Sequence, residues 1–168
     1  EVDILHGHII TYLGDISKKA LTEEQTRNLL SLMEAINDLE NIGDTIETDL
    51  VYLGNERITK GVSISPKTRE VLKQLHDVVS GAANGAIAAA TENDQRQAQD
   101  VIAMKRDINR LMNSAATHEA MRLVADEPNR LAAYTIEIDI IEKLKRIYYF
   151  AKRVAKAVMP EQARTEAE

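Results

Sequence analysis

Apolar residues recur at intervals of three and four along nearly the whole chain, a period that builds amphipathic helices and little else. The longest run is Leu29, Leu32, Ile36, Leu39, Gly43, Ile46, Leu50 and Leu53, one stripe sustained over more than three heptads. Ahead of it, Val2, Leu5, Ile9, Tyr12, Leu13 and Ile16 predict a helix over 2–20. Thr22 and Gln25 form a capping box that starts the second helix, with Glu23 and Glu24 at its positive end. Gly54, Gly61 and Ser63 interrupt the pattern, and Ser65-Pro66 is an N-cap followed by Pro at the first helical position.

A third helix then runs to Thr91, with Val71, Leu72, Leu75, Val78, Val79, Ala82, Ala83 and Ile87 expected on its buried side. Gly81 and Gly85 lie within it, each costing about 1 kcal/mol relative to Ala, so they predict close approach of a neighbouring helix. Glu92-Asn93-Asp94 marks a turn into a fourth helix over 94–124, which carries Ala98, Val101, Ile108, Leu111, Met112 and Ala115 and ends at Asp126-Glu127-Pro128. The fifth bears Leu131, Tyr134, Ile138, Ile141, Leu144, Tyr148, Ala151, Ala155 and Val158 and stops at Pro160. Five helices without a strand signal read as antiparallel bundles, an all-α fold.

Composition excludes several functions. There is no cysteine, which removes thiolate metal sites, disulfides and cysteine nucleophiles together. An excess of 27 acidic over 21 basic side chains, net −6, argues against nucleic acid as a partner. No stretch approaches the roughly 20 apolar residues that span a bilayer, so no transmembrane segment is expected. The chain opens Glu1-Val2-Asp3 without Met, already inside an apolar-periodic stretch, as expected of a part of something longer.

The second and fifth helices align with each other. Setting Leu39-Glu40-Asn41-Ile42 over Leu144-Lys145-Arg146-Ile147 puts Ile36, Leu39, Ile42 and Leu53 on Ile141, Leu144, Ile147 and Val158, and Asp3-Ile4 falls on Asp107-Ile108 within one residue. The chain therefore reads as a duplication: a first repeat of two helices over 1–57, a linker over 58–65, a second repeat of three helices over 66–160, and a frayed tail over 161–168. The first repeat lacks an opening helix. An open apolar groove beside Leu29, Leu32 and Ile36 should then recruit a partner helix, and self-association is expected.

Chemistry is confined to the second helix. At 100° per residue Glu40 and Glu47 lie roughly 20 to 40° from the middle of the apolar stripe and Asp44 about 80° from it, while Glu34 and Asp38 point to the opposite side. Like charges at a core edge need protons, basic partners or a cation. Oxygen-only ligation by Glu40, Asp44 and Glu47 suits a divalent or iron cation; ion pairing with Lys or Arg of a neighbouring helix is the alternative. In the second repeat the same register carries Lys145, Tyr149 and Lys152, so that strip is basic. Asp3, three residues before His6, is a poor match to a di-iron pairing, since His76 and His118 have no acid three residues ahead. No nucleophile with its base and no phosphate loop occurs, and no catalytic residue is assigned.

Asn37-Asp38-Leu39-Glu40-Asn41-Ile42-Gly43-Asp44-Thr45-Ile46 resembles the signature segment of the PhoU family, in which a Leu-Glu-Arg-Ile-Gly-Asp-like run closes each of two tandem three-helix bundles. Glu40-x-x-x-Asp44 matches the family's acidic motif; Asn41 stands where Arg is usual, and Lys145 and Tyr149 remove the motif from the second repeat. The Leu144 to Ile147 form is similar to the PhoU-like region that follows the membrane part of bacterial sodium/phosphate cotransporters. The resemblance implies tandem PhoU-like bundles, the first without its opening helix. It also implies a non-enzymatic regulator of phosphate uptake on the cytoplasmic side of the inner membrane, contacting a transporter membrane domain or another phosphate-signalling protein. Some family members bind metal clusters at the acidic motif. A metal-dependent bundle enzyme and a coiled-coil assembly adaptor are the rival readings.

Overall fold

The computed structural model describes residues 2–124 and 129–160. Its helices are α1 (Val2–Ser17), α2 (Glu23–Asp44), a π segment (Thr45–Leu50), α3 (Val51–Thr59), α4 (Pro66–Glu92), α5 (Gln95–Ala103), α6 (Lys105–Leu123) and α7 (Arg130–Val158), with no strand among the described residues. α2, the π segment and α3 run on without a break, and α5 and α6 are parted only by a step at Met104. The outcome is five rods, as the apolar periodicity predicts. The sequence-predicted tail over 161–168 and the stop at Asp126-Glu127-Pro128 lie outside the described residues.

Local chemistry sets the ends of the rods. Thr22 Oγ1 accepts from Gln25 N while Gln25 Oε1 accepts from Thr22 N, both arms of the capping box. Ser65 caps α4 by accepting from Thr68 N, with Pro66 at the first helical position. Asp94 Oδ1 accepts from Arg96 N and Gln97 N at the start of α5. α3 closes with Gly61 at φ 60°, which lets Gly61 N donate to Ile58 O and Val62 N to Arg57 O. That double bond is a Schellman motif, and it drops Val62 onto Ala133 and Ile136 of α7.

α7 is the centre of the assembly, enclosed by α2, α4, α5 and α6. One continuous core unites Leu75, Val79, Ala82 and Ala86 of α4, Val101 of α5, Ile108 and Met112 of α6, Ile141, Leu144, Ile147 and Val154 of α7, and Ala35 and Ile42 of α2. α4 and α5 meet at a glycine: a Cβ on Gly85 would stand 2.9 Å from Val101 Cγ2, whereas one on Gly81 would meet nothing within 4 Å. Of the two glycines expected to permit close approach, only Gly85 does so. Ile87, expected inside, is exposed, because Ala86 and Ala89 are the residues that α4 turns inward.

α1 packs only on α2 among the contacts that define the bundle, and Val2 lies 3.3 Å from where a Gly43 Cβ would be. The buried face of α2 differs from the expected stripe. Leu29, Ser31, Ala35, Asp38 and Ile42 are buried, followed by Thr45, whereas Leu32 and Ile46 are exposed. The cause is that α2 serves two neighbours at once, α1 on one side and α7 on the other. The side toward α7 is built from small and polar residues.

Candidate functional site

The acidic strip lies outside the core. Glu40 is half-buried, Asp44 and Glu47 are exposed, and the π segment begins directly after Asp44, so the strip crosses a change of helical register. Asp38, expected to point away from the core, is instead the buried carboxylate of α2. Its Oδ2 accepts from Arg153 Nε at 2.9 Å. Burial pushes the Asp38 carboxyl up, against the pull of the Arg153 guanidinium. A second pair, Lys143 Nζ to Asp49 Oδ2 at 3.0 Å, ties the π segment to α7. The two pairs run in antiparallel register, 38 with 153 and 49 with 143, so the acidic helix lies along the basic one.

Arg153 also lies over the Tyr149 ring at 5.7 Å. Of the remaining basic strip, Lys145 is exposed and Lys152 half-buried. His6 Nε2 lies 2.9 Å from Asn37 Oδ1, joining α1 to α2. Among the described residues no three His, Asp or Glu side chains are grouped so as to hold a metal ion. Glu40, Asp44 and Glu47 form no such group, and no chemistry is routed through a divalent or iron cation there.

Two further features emerge from the coordinates. The first is an open face. In the register that sets Leu39 on Leu144, Leu32 corresponds to Glu137 and Ile46 to Ala151, and Ile4, within one residue of that register, falls on Ile108. Leu32, Ile46 and Ile4 are 50, 47 and 66 % exposed, while each of their counterparts is 0 % exposed. α4 packs along α7 at these positions, and no described helix takes the equivalent place on α2. This open face belongs to the anionic part of the chain: residues 1–59 carry twelve acidic and four basic side chains, net −8, against fifteen and seventeen in 60–168, net +2.

The second feature is a buried charge cluster where α4, α6 and α7 meet. Arg130, the first residue of α7, follows Asn129 at φ 58°. Its Nη2 donates to Glu119 Oε2 at 2.9 Å and to Glu137 Oε2 at 2.7 Å. Both carboxylates are fully buried. Thr68 of α4 joins the same cluster, accepting from Arg122 Nη1 at 2.6 Å. Burial and the neighbouring Glu119 carboxyl push Glu137 up to about 7. Burial acts on Glu119 too, but hydrogen bonds with Glu137, Arg130 and Thr68 outweigh it and leave that carboxyl below its ordinary value. The sequence carried a signal for this cluster that periodicity alone would expose: Ile108, Met112, Ala115 and Glu119 continue one four-three-four alternation, so Glu119 occupies a core position.

The family model for the PhoU domain matches residues 72–158, from the second turn of α4 to the end of α7, more than half of the chain. The chain belongs to the PhoU family. The match falls within 66–160, the span expected as a second repeat, while the Glu40-x-x-x-Asp44 segment that resembles the family signature lies outside it. Charge cluster residues Glu119, Arg130 and Glu137 of this PhoU chain all fall within the match. No curated protein and no solved structure is similar enough to match.

Proposed function

We propose that the chain is a non-enzymatic regulatory and interaction domain of phosphate uptake, the PhoU-like part of a sodium-dependent phosphate transporter held on the cytoplasmic side of the inner membrane. Membership of the PhoU family supports the regulatory role. No helix among the described residues is long and apolar enough to cross a membrane, so the transporter's spans would lie elsewhere. The observation that carries the reading is the open face of the first repeat, where Ile4, Leu32 and Ile46 are exposed at positions that the second repeat buries completely.

That face is built for a helix. Its floor repeats at seven residues, Leu32, Leu39 and Ile46, and α1 and α7 flank it. The net −8 of the first 59 residues favours a partner whose flanks are Lys- and Arg-rich. A helix of the transporter that docks here in one transport state and not the other shifts the balance between the two by its difference in affinity. In isolation, the same face pairs with that of a second copy.

The test is a double substitution, Leu32→Glu with Ile46→Glu, made in the whole transporter and in the isolated chain. Phosphate uptake should lose its response to phosphate supply while helicity by circular dichroism is unchanged, and sedimentation at tens of micromolar should show wild-type dimers and variant monomers. Unchanged regulation of uptake in a folded variant would defeat the reading.

A further inference from the structure

The cluster at the junction of α4, α6 and α7 has an unusual account of charge and hydrogen bonds. Two carboxylates accept from one guanidinium, so these three bonded groups carry an excess of one negative charge, and all three are buried. Oε1 of Glu119 and Oε1 of Glu137 are both buried without a hydrogen-bond partner, and so is Arg130 Nε. Yet the two carboxyls accept from the same Arg130 Nη2, at 2.9 and 2.7 Å, so they stand side by side. A single proton held between them satisfies both orphaned oxygens and cancels the excess charge at once.

We propose that Glu119 and Glu137 share one proton beside Arg130, and that this carboxyl pair is a pH-operated latch that fastens the end of the second repeat. Proton loss leaves two carboxylates facing each other in a dry site, and the α6–α7 corner loosens.

The groups that face the pair come from three elements. α6 contributes His118, whose Nε2 is 3.8 Å from Glu119 Oε1, and Arg122, which is bonded to Thr68. α7 contributes Arg130, and α4 contributes the hydroxyls of Thr68 and its cap Ser65, which donates to Thr68 at 3.1 Å. Arg130 also forms part of the wall of a cavity of about 290 Å³ lined by Gly61, Ser63, Ser65, Arg122 and Asn129, so water reaches the outer side of the guanidinium.

The sign follows from Glu137. Its carboxyl binds a proton up to about 7 in the folded chain and only to an ordinary carboxyl value when unfolded, so the stability it contributes is complete in acid and is lost as the pH rises through 7. Between pH 6 and 8 the loss is about tenfold in the opening equilibrium of this corner.

Carbon-detected NMR titration of the Glu carboxyls in the wild-type chain, with hydrogen exchange of amides in 116–123 and 130–137 corrected for intrinsic rates, tests the proposal. We expect a Glu137 midpoint near 7 and a roughly tenfold loss of protection from pH 6 to 8. In Glu137→Gln, whose amide donates at every pH, protection should not change over that range. A Glu137 midpoint below 5 overturns the proposal whatever the variants do. So does pH dependence that survives in Glu137→Gln and vanishes in His118→Gln, which would assign it to the imidazole. Should Glu137→Gln fail to fold, the wild-type midpoint together with Glu119→Gln decides the matter. In that variant one carboxyl remains, Arg130 matches it in charge, and the Glu137 midpoint should fall below its wild-type value while burial still holds it above the ordinary carboxyl range.

Discussion

Gly85 of α4 and Val101 of α5 are so close that a methyl group on the glycine would stand 2.9 Å from Val101 Cγ2. Val101 is buried and stiff at its first side-chain torsion, so it has no room to yield. Gly85→Ala should therefore destabilise by about 1–2 kcal/mol even though Ala is the better helix former. Gly81, one turn earlier with nothing near it, is the control: Gly81→Ala should stabilise by about 0.5–1 kcal/mol. Urea midpoints that move in opposite directions for the two variants are the expected result, and a stabilised Gly85→Ala would contradict the close packing.

The pair between Asp38 and Arg153 makes an asymmetric prediction. Asp38 is buried and Arg153 is partly exposed, so Arg153→Met strands a carboxylate and should cost about 1–3 kcal/mol, the lower range reflecting solvent at the guanidinium. Asp38→Asn made in the same background should recover most of that loss, as a double-mutant cycle would read directly. The cost of Arg153→Met alone should shrink as the pH falls, because Asp38, already pushed up by burial, then takes a proton.

Removing Arg130 is more severe. Arg130→Met leaves Glu119 and Glu137 without their shared donor in a fully buried site, at a cost of about 3–5 kcal/mol. The triple change Arg130→Met, Glu119→Leu and Glu137→Leu should regain wild-type stability or exceed it, since apolar packing often replaces a buried ion cluster without loss. Thermal unfolding of the single and triple variants separates the two outcomes.

Exposure of the first-repeat face predicts a contrast in truncations. Leu32→Ala and Ile46→Ala in the isolated chain under monomeric conditions should change stability by no more than about 0.5 kcal/mol. Ile42→Ala, one turn from Ile46 but inside the core, and Ile108→Ala should each cost about 2–5 kcal/mol. Equal costs at Leu32 and Ile42 would mean that the face is covered.

Most of the rods were legible because their signals are local. Thr22 with Gln25, Ser65 with Pro66, Asp94 and Gly61 each act within a few residues, and the structure places a cap or a stop at every one. The face of α2 was not legible, because periodicity measures where apolar residues fall and cannot show that two different neighbours share them. That is why Asp38 was placed outside and Leu32 inside. The π segment over Thr45–Leu50 left no compositional mark. Glu40, Asp44 and Glu47 share a helical face by spacing, but spacing does not show how deep that face lies, and Asp44 and Glu47 are exposed. The Glu119–Arg130–Glu137 cluster brings α6 and α7 together: periodicity marks Glu119, and the register with Leu32 marks Glu137, but neither shows that the two meet on Arg130.

α7 is a single stiff beam of 29 residues, about 43 Å from end to end. Its far half is clamped to α2 through Lys143 and Arg153, and its first residue is Arg130. Whatever seats against α1 and α2 leans on the same beam whose other end is anchored by a shared proton, so occupancy of the one and acidity at the other act on a common mechanical element. A chain of this design reads two inputs and answers with one displacement.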